Sequence, residues 1–85
     1  MTATGDTIGV ITALLQHLQQ AVAAVKAAGD QAEKGRTMAA AVGDTRTVAA
    51  FAQVHQLIGQ THGSVTAGLQ KAQEAMTRAK AMEGG

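Results

Sequence analysis

The sequence predicts an all-α protein: an antiparallel two-helix hairpin with a coiled-coil-like seam, dimerising into a four-helix bundle. Three observations carry this. Apolar and small residues recur at alternating steps of three and four through both halves of the chain, the spacing of one packed helix face. The phase of that recurrence breaks once, near residue 43. Pro, the strongest helix breaker, is absent. No segment shows the two-residue alternation of a half-buried strand.

The first helix is expected over about residues 6–42. Gly5 and Asp6, followed by Thr7, read as its start, because Asp accepts backbone N–H bonds at a helix N-cap. Its seam is Ile8, Ile11, Leu15, Leu18, Val22, Val25, Gly29, Ala32, Arg36 and Ala39. The Gly29-Asp30 step leaves open a kink or break. Gly-Asp-Thr then recurs at residues 43–45. Extending the first frame puts an apolar position at 43, whereas the second frame opens at Val48. A five-residue offset turns a helix by about 500°, roughly 140° out of phase. One straight helix would therefore carry its stripes on nearly opposite sides, and a reversal at 43–44 lets them face. Gly43 suits the left-handed C-terminal position, and Asp44 suits the N-cap of the next helix.

The second helix is expected over about residues 45–82, with the whole chain, 1–85, a single domain and its ends frayed. Its seam is Val48, Phe51, His55, Ile58, His62, Val65, Leu69, Ala72, Met76 and Ala79. Folding at 43 sets Leu18 against Leu69, Leu15 against Ala72, Ile11 against Met76 and Val22 against Val65. It also sets Gly29 against Ile58 and brings Gly35 near Phe51. At Leu15–Ala72, Gly29–Ile58 and Gly35–Phe51 a large residue meets a small one, as interdigitating layers require.

One seam does not use up the apolar surface. Val10, Leu14, Met38 and Val42 on the first helix, with Val54 and Leu57 on the second, lie on a flank beside it. Ala21, Ala24, Ala28, Ala50, Ala75 and Met82 extend that flank. A contiguous exposed apolar patch marks a partner surface, so a homodimer or a related helical hairpin is the expected partner.

Chemistry has little to work with. A formal charge of +1 lacks the basic stripe of a nucleic-acid binder, and no nucleic acid is expected. No apolar run approaches the roughly 20 residues of a membrane span, so no transmembrane segment is expected. The chain has no Cys, hence no disulfide or thiolate site. His55 and His62 fall seven residues apart, about 10.5 Å along a helix, too far to share one metal ion. They are expected to be buried seam residues with a pH-dependent side to their packing. Lys26–Asp30, Asp30–Lys34 and Glu74–Arg78 stand four apart and read as surface pairs. No catalytic residues, cofactor or metal are expected, and the protein reads as no enzyme.

This build resembles the small Trp-X-Gly (ESAT-like) helical hairpins, or a similar actinobacterial hairpin family. The likeness lies in two near-equal helices, a central turn with Gly and an Ala/Gln/Thr-rich composition. The family's turn motif falls on Ala41-Val42-Gly43; Gly43 matches it, and Ala41 stands where the family has Trp. The chain has no Tyr for the family's C-terminal signal. The resemblance implies pairing into four-helix bundles and leaderless export by type VII secretion. The residues themselves point to a self-associating interaction or structural protein, cytoplasmic by default; a membrane-active amphipathic protein is the third reading.

Overall fold

The structure, a computed structural model, describes residues 3–84. Two helices, α1 (Ala3–Ala41) and α2 (Thr45–Gly84), pack antiparallel along their length. The Cα trace measures 63 × 15 × 12 Å. α1 runs unbroken through Gly29-Asp30, because ladder bonds on both sides hold a glycine whose position on the seam suits close approach. α1 begins three residues before its expected start and stops one before its expected end, and α2 runs two residues past its expected end. Gly5 and Asp6 accordingly lie inside the first turns of α1 and do not cap it. Asp6 there places its carboxylate at the positive end of the helix dipole. Met1, Thr2 and Gly85, part of the ends expected to fray, lie outside the described residues.

The reversal takes three residues. Gly43 has φ of 75°, in the left-handed region where a Cβ is costly. Its N–H donates to the Ala40 carbonyl at 3.1 Å, and the Asp44 N–H donates to Ala39 at 3.0 Å. These paired bonds form a Schellman motif and satisfy the last carbonyls of α1. Asp44 then opens α2. Its carbonyl accepts from the Val48 N–H at 3.0 Å, and its Oδ1 accepts from the Thr47 N–H at 3.0 Å. The Thr47 hydroxyl donates to Oδ2 at 2.6 Å. These bonds, the hydroxyl's first, hold the Asp44 carboxyl below its ordinary value.

The turn sets the register of the seam. A Cβ placed at Gly29 would stand 3.6 Å from Ile58 Cγ2. One placed at Gly35 would stand 2.5 Å from the Phe51 ring, inside van der Waals contact. The aromatic ring therefore lies flat against the α1 backbone, in space that only glycine leaves. Along the seam, Ala32, Ala39, Ala72 and Ala79 are buried. Ile11, Leu15, Leu18, Val22, Val25, Phe51, Ile58, His62, Val65, Leu69 and Met76 are half-buried. No large side chain among the described residues is fully buried, because a two-helix layer covers each seam residue from one side only.

His55 and Arg36, both expected on the seam, are exposed. An imidazole or guanidinium that can reach water keeps its hydration, and both turn out of the seam on the same side. Burial of His55, and any pH dependence resting on it, is thereby corrected; His62 is half-buried.

Two outcomes are expected from this geometry. Gly59 and Gly63 have open space where a Cβ would go. Changing either to Ala should stabilise by about 0.5–1 kcal/mol through helix propensity. Gly35→Ala should instead destabilise by about 1 kcal/mol, since the Phe51 ring must swing off the backbone. Urea unfolding distinguishes them; an equal gain in all three variants would place the ring elsewhere. The second concerns Asp44. A carboxyl whose folded pKa is depressed stabilises above its unfolded pKa, and that contribution is lost as pH falls through the folded value. The Tm difference between wild type and Asp44→Ala should be full at neutral pH and shrink as pH falls below the ordinary carboxylate range. A difference that persists there would assign the effect to something other than the charged cap.

Candidate interaction surface

In an antiparallel pair, the residues flanking the seam on one side of α1 share a face with the matching flank of α2. That rule divides the hairpin into two unlike faces. The apolar face carries Val10, Leu14, Met38 and Val42 from α1 and Val54, Leu57 and Met82 from α2. These seven side chains are 45–79% exposed. Alanines at 21, 24, 28, 50 and 75 fill much of the space between them. The polar face carries Lys26, Asp30, Glu33 and Arg36 with His55 and His62.

A groove of about 600 Å3 opens on the apolar face toward the turn end. Ala28, Gly35 and Met38 line it from α1, and Phe51, Val54 and Ile58 from α2. Gln31 and Lys34 also border it. Its depth has a local cause: Gly35 and the alanines leave no side chains to fill the step between the helices, while the Phe51 ring forms the floor. The sequence pointed to both residues as neighbours. A glycine standing across from the only aromatic was the available signal for the groove, which the flank residues alone did not indicate.

The polar face has two shallow depressions. One of about 210 Å3 is lined by Val25, Lys26, Gly29, Asp30, His55, Ile58, Gly59 and His62. The other, about 250 Å3, is lined by Glu33, Arg36, Ala52 and His55. In the second, Arg36 grips Glu33 with both nitrogens of its fork, Nε donating to Oε2 at 3.2 Å and Nη2 to Oε1. That grip holds the Glu33 carboxyl below its ordinary value, with Arg36 hydrogen bonding as the leading cause. Lys71 pairs with Glu74 at 3.4 Å. Both pairs are three residues apart. The pairs expected at four-residue spacing, Lys26–Asp30, Asp30–Lys34 and Glu74–Arg78, do not form; Glu74 is taken instead by Lys71. Among the described residues, no three His, Asp or Glu side chains stand where they could hold one metal ion.

α1 is also long and apolar enough to cross a bilayer by length and composition, with a mean hydropathy of 1.4 over 18 residues. The expectation of no such segment is corrected on that measure. A helix that packs its apolar stripe on a neighbour passes the same test. Gln16, His17, Gln19 and Gln20 interrupt the stretch between Asp6 and Lys26, and polar groups at the bilayer centre are costly.

No family model, curated protein or solved structure matches the chain. The likeness to the Trp-X-Gly hairpins is one of shape: an 85-residue hairpin of two long helices. The surface is an extended apolar face with a groove, on a layer too thin to bury it.

Proposed function

We propose that this hairpin is a non-enzymatic self-associating interaction protein, whose apolar face closes against a second copy to make a four-helix bundle. One observation carries the reading: seven large apolar side chains, each at least 45% exposed, gather on a single face. Isolated exposed apolar residues are ordinary, but a contiguous face of them marks an interaction site. Burial at roughly 25 cal/mol per Å2 favours covering it, and a second hairpin supplies a matching layer of the same length. The half-buried seam supports the same reading. Ile, Leu and Val side chains that one partner helix covers from one side gain their second side in a bundle. Cytoplasmic residence is the default part of the proposal. A related hairpin with leaderless export, which the shape of the Trp-X-Gly proteins suggests, would use the same face with a different occupant.

Leu14 and Leu57 test it, since they lie toward opposite ends of the face. Association makes the melting temperature rise with protein concentration, because a bound partner stabilises by mass action. Leu14→Glu with Leu57→Glu puts charges into an apolar interface, and the double variant should sediment as a monomer while staying largely helical. A wild type that sediments as a monomer across the micromolar range, with a concentration-independent melt, overturns self-association and moves the heterologous hairpin ahead.

A further inference from the structure

The occupant of the apolar face has an orientation, and the inference of it rests on the self-association just proposed. On α1 the row of that face begins with Val10 and Leu14, ends with Met38 and Val42, and holds alanines between them at 21, 24 and 28. Counted outward from Lys26, it gives matching sizes at three steps, Val10 with Val42, Leu14 with Met38 and Ala24 with Ala28, while His17 stands as far out as Gly35 and Ala21 as Gln31. The row carries no charged residue. Reversing one copy therefore sets like side chains level at both ends and the middle of the row, and sets His17 level with the gap at Gly35. Gly29 standing against Ile58 fixes the level of α2: Thr61 lies beside Lys26.

We infer that a second copy docks on the apolar face with its long axis reversed, related by a two-fold axis that crosses the hairpin at the level of Lys26 and Thr61. Such a contact is self-complementary by symmetry. α1 then lies along α1 of the second copy, and α2 along α2. On α2, Leu57 comes level with Ser64 and Val54 with Gly68, large against small. The groove over Gly35 and Phe51 comes level with Leu14 and His17 of the second copy, which supply its occupant. The charges agree. Among the described residues, the apolar face has Lys34 at the rim of its groove, and Lys71 and Arg78 on the far half of α2. Arg78 has no ion pair among the described residues. Reversal brings it level with the turn of the second copy, where hydrogen bonds hold Asp44 ionised.

The competing two-fold runs along the hairpin and puts the two turns together. It lays α1 over α2 of the second copy, with Val10 near Arg78 and Leu14 near Lys71, so that large apolar side chains meet charged ones, where reversal sets Lys71 level with Ala50 and Arg78 with Asp44. It also sets Asp44 beside Asp44. A face 63 Å long and 15 Å wide is comparable to the about 800 Å2 per partner of a stable interface in either case. Size therefore does not choose between the two arrangements; the register and the charges do.

The chain has no native cysteine, so disulfide trapping reads the orientation directly. Thr61→Cys, on the two-fold, should oxidise to a covalent dimer by itself. Val10→Cys and Val42→Cys chains, mixed, should give the mixed dimer several-fold in excess of either chain linked to itself. Circular dichroism at wild-type helicity and sedimentation of the reduced chains show that the variants fold and associate. A dimer in which Val42→Cys links only to itself, or in which Thr61→Cys links only to Ala24→Cys, has its turns together and overturns the inference. A chain that sediments as a monomer overturns the self-association reading and this inference with it. The two failures are thus told apart by sedimentation alone.

Discussion

Everything in this molecule depends on a turn with no residue to spare. Gly43 takes the one conformation that lets a helix stop and its last carbonyls still find donors. Asp44 donates backward to close α1 and accepts forward to open α2. Because one residue serves both helices, the turn has little freedom to lengthen or rotate. Its geometry is passed along the whole seam, which is why a glycine eight residues before Gly43 meets a ring eight residues after it. Inserting a residue here would slide each seam residue off its partner, and the Phe51 ring would strike a side chain in place of the Gly35 backbone.

The second constraint is thickness. Two helices make a single layer, and the residues that the layer can fully enclose are alanines. Leu, Ile and Val on the seam keep one side in water. The molecule thus reaches helix lengths of 39 and 40 residues on a core that encloses few large side chains. Helices in proteins gain most of their stability from packing of an apolar face, so a hairpin of this kind holds its helices with less than a globular domain would. A second layer adds what the first lacks. In the proposed dimer, folding and association would be linked steps, since the surface that completes the core would be the surface that binds.

Much of the fold was legible in the residues. The phase break, the turn and the register came from spacing alone, because helical periodicity is a geometric property that survives without knowledge of contacts. The exposed flank was legible for the same reason: Val10, Leu14, Met38, Val42, Val54 and Leu57 sit where a seam cannot reach. What failed were matters of individual side-chain choice. Spacing put His55 and Arg36 on the seam, but a polar head with water in reach leaves it. Sequence separation suggested ion pairs at four residues, but rotamers made them at three. Gly5 and Asp6 looked like a cap because the same tripeptide caps α2; in α1 the helix begins before it. The groove was not legible as a groove, because its depth depends on an absence, the missing side chain at Gly35, and on where a single ring comes to rest.

The distribution of glycine follows from the two faces. Gly35 is required by the ring that lies on it. Gly59 and Gly63, on the polar face, meet nothing within 4 Å, and each weakens its helix by about 1 kcal/mol relative to Ala. Gly68 also meets nothing in the single hairpin, yet it lies on the apolar face, where a reversed second copy brings Val54 level with it. In an isolated hairpin it is a defect; in the paired one it is the space that a neighbouring side chain needs. Replacing it with a bulky apolar residue therefore separates the two states. The substitution adds contact area to a lone hairpin, which has room for it, and removes room from a bundle, which does not.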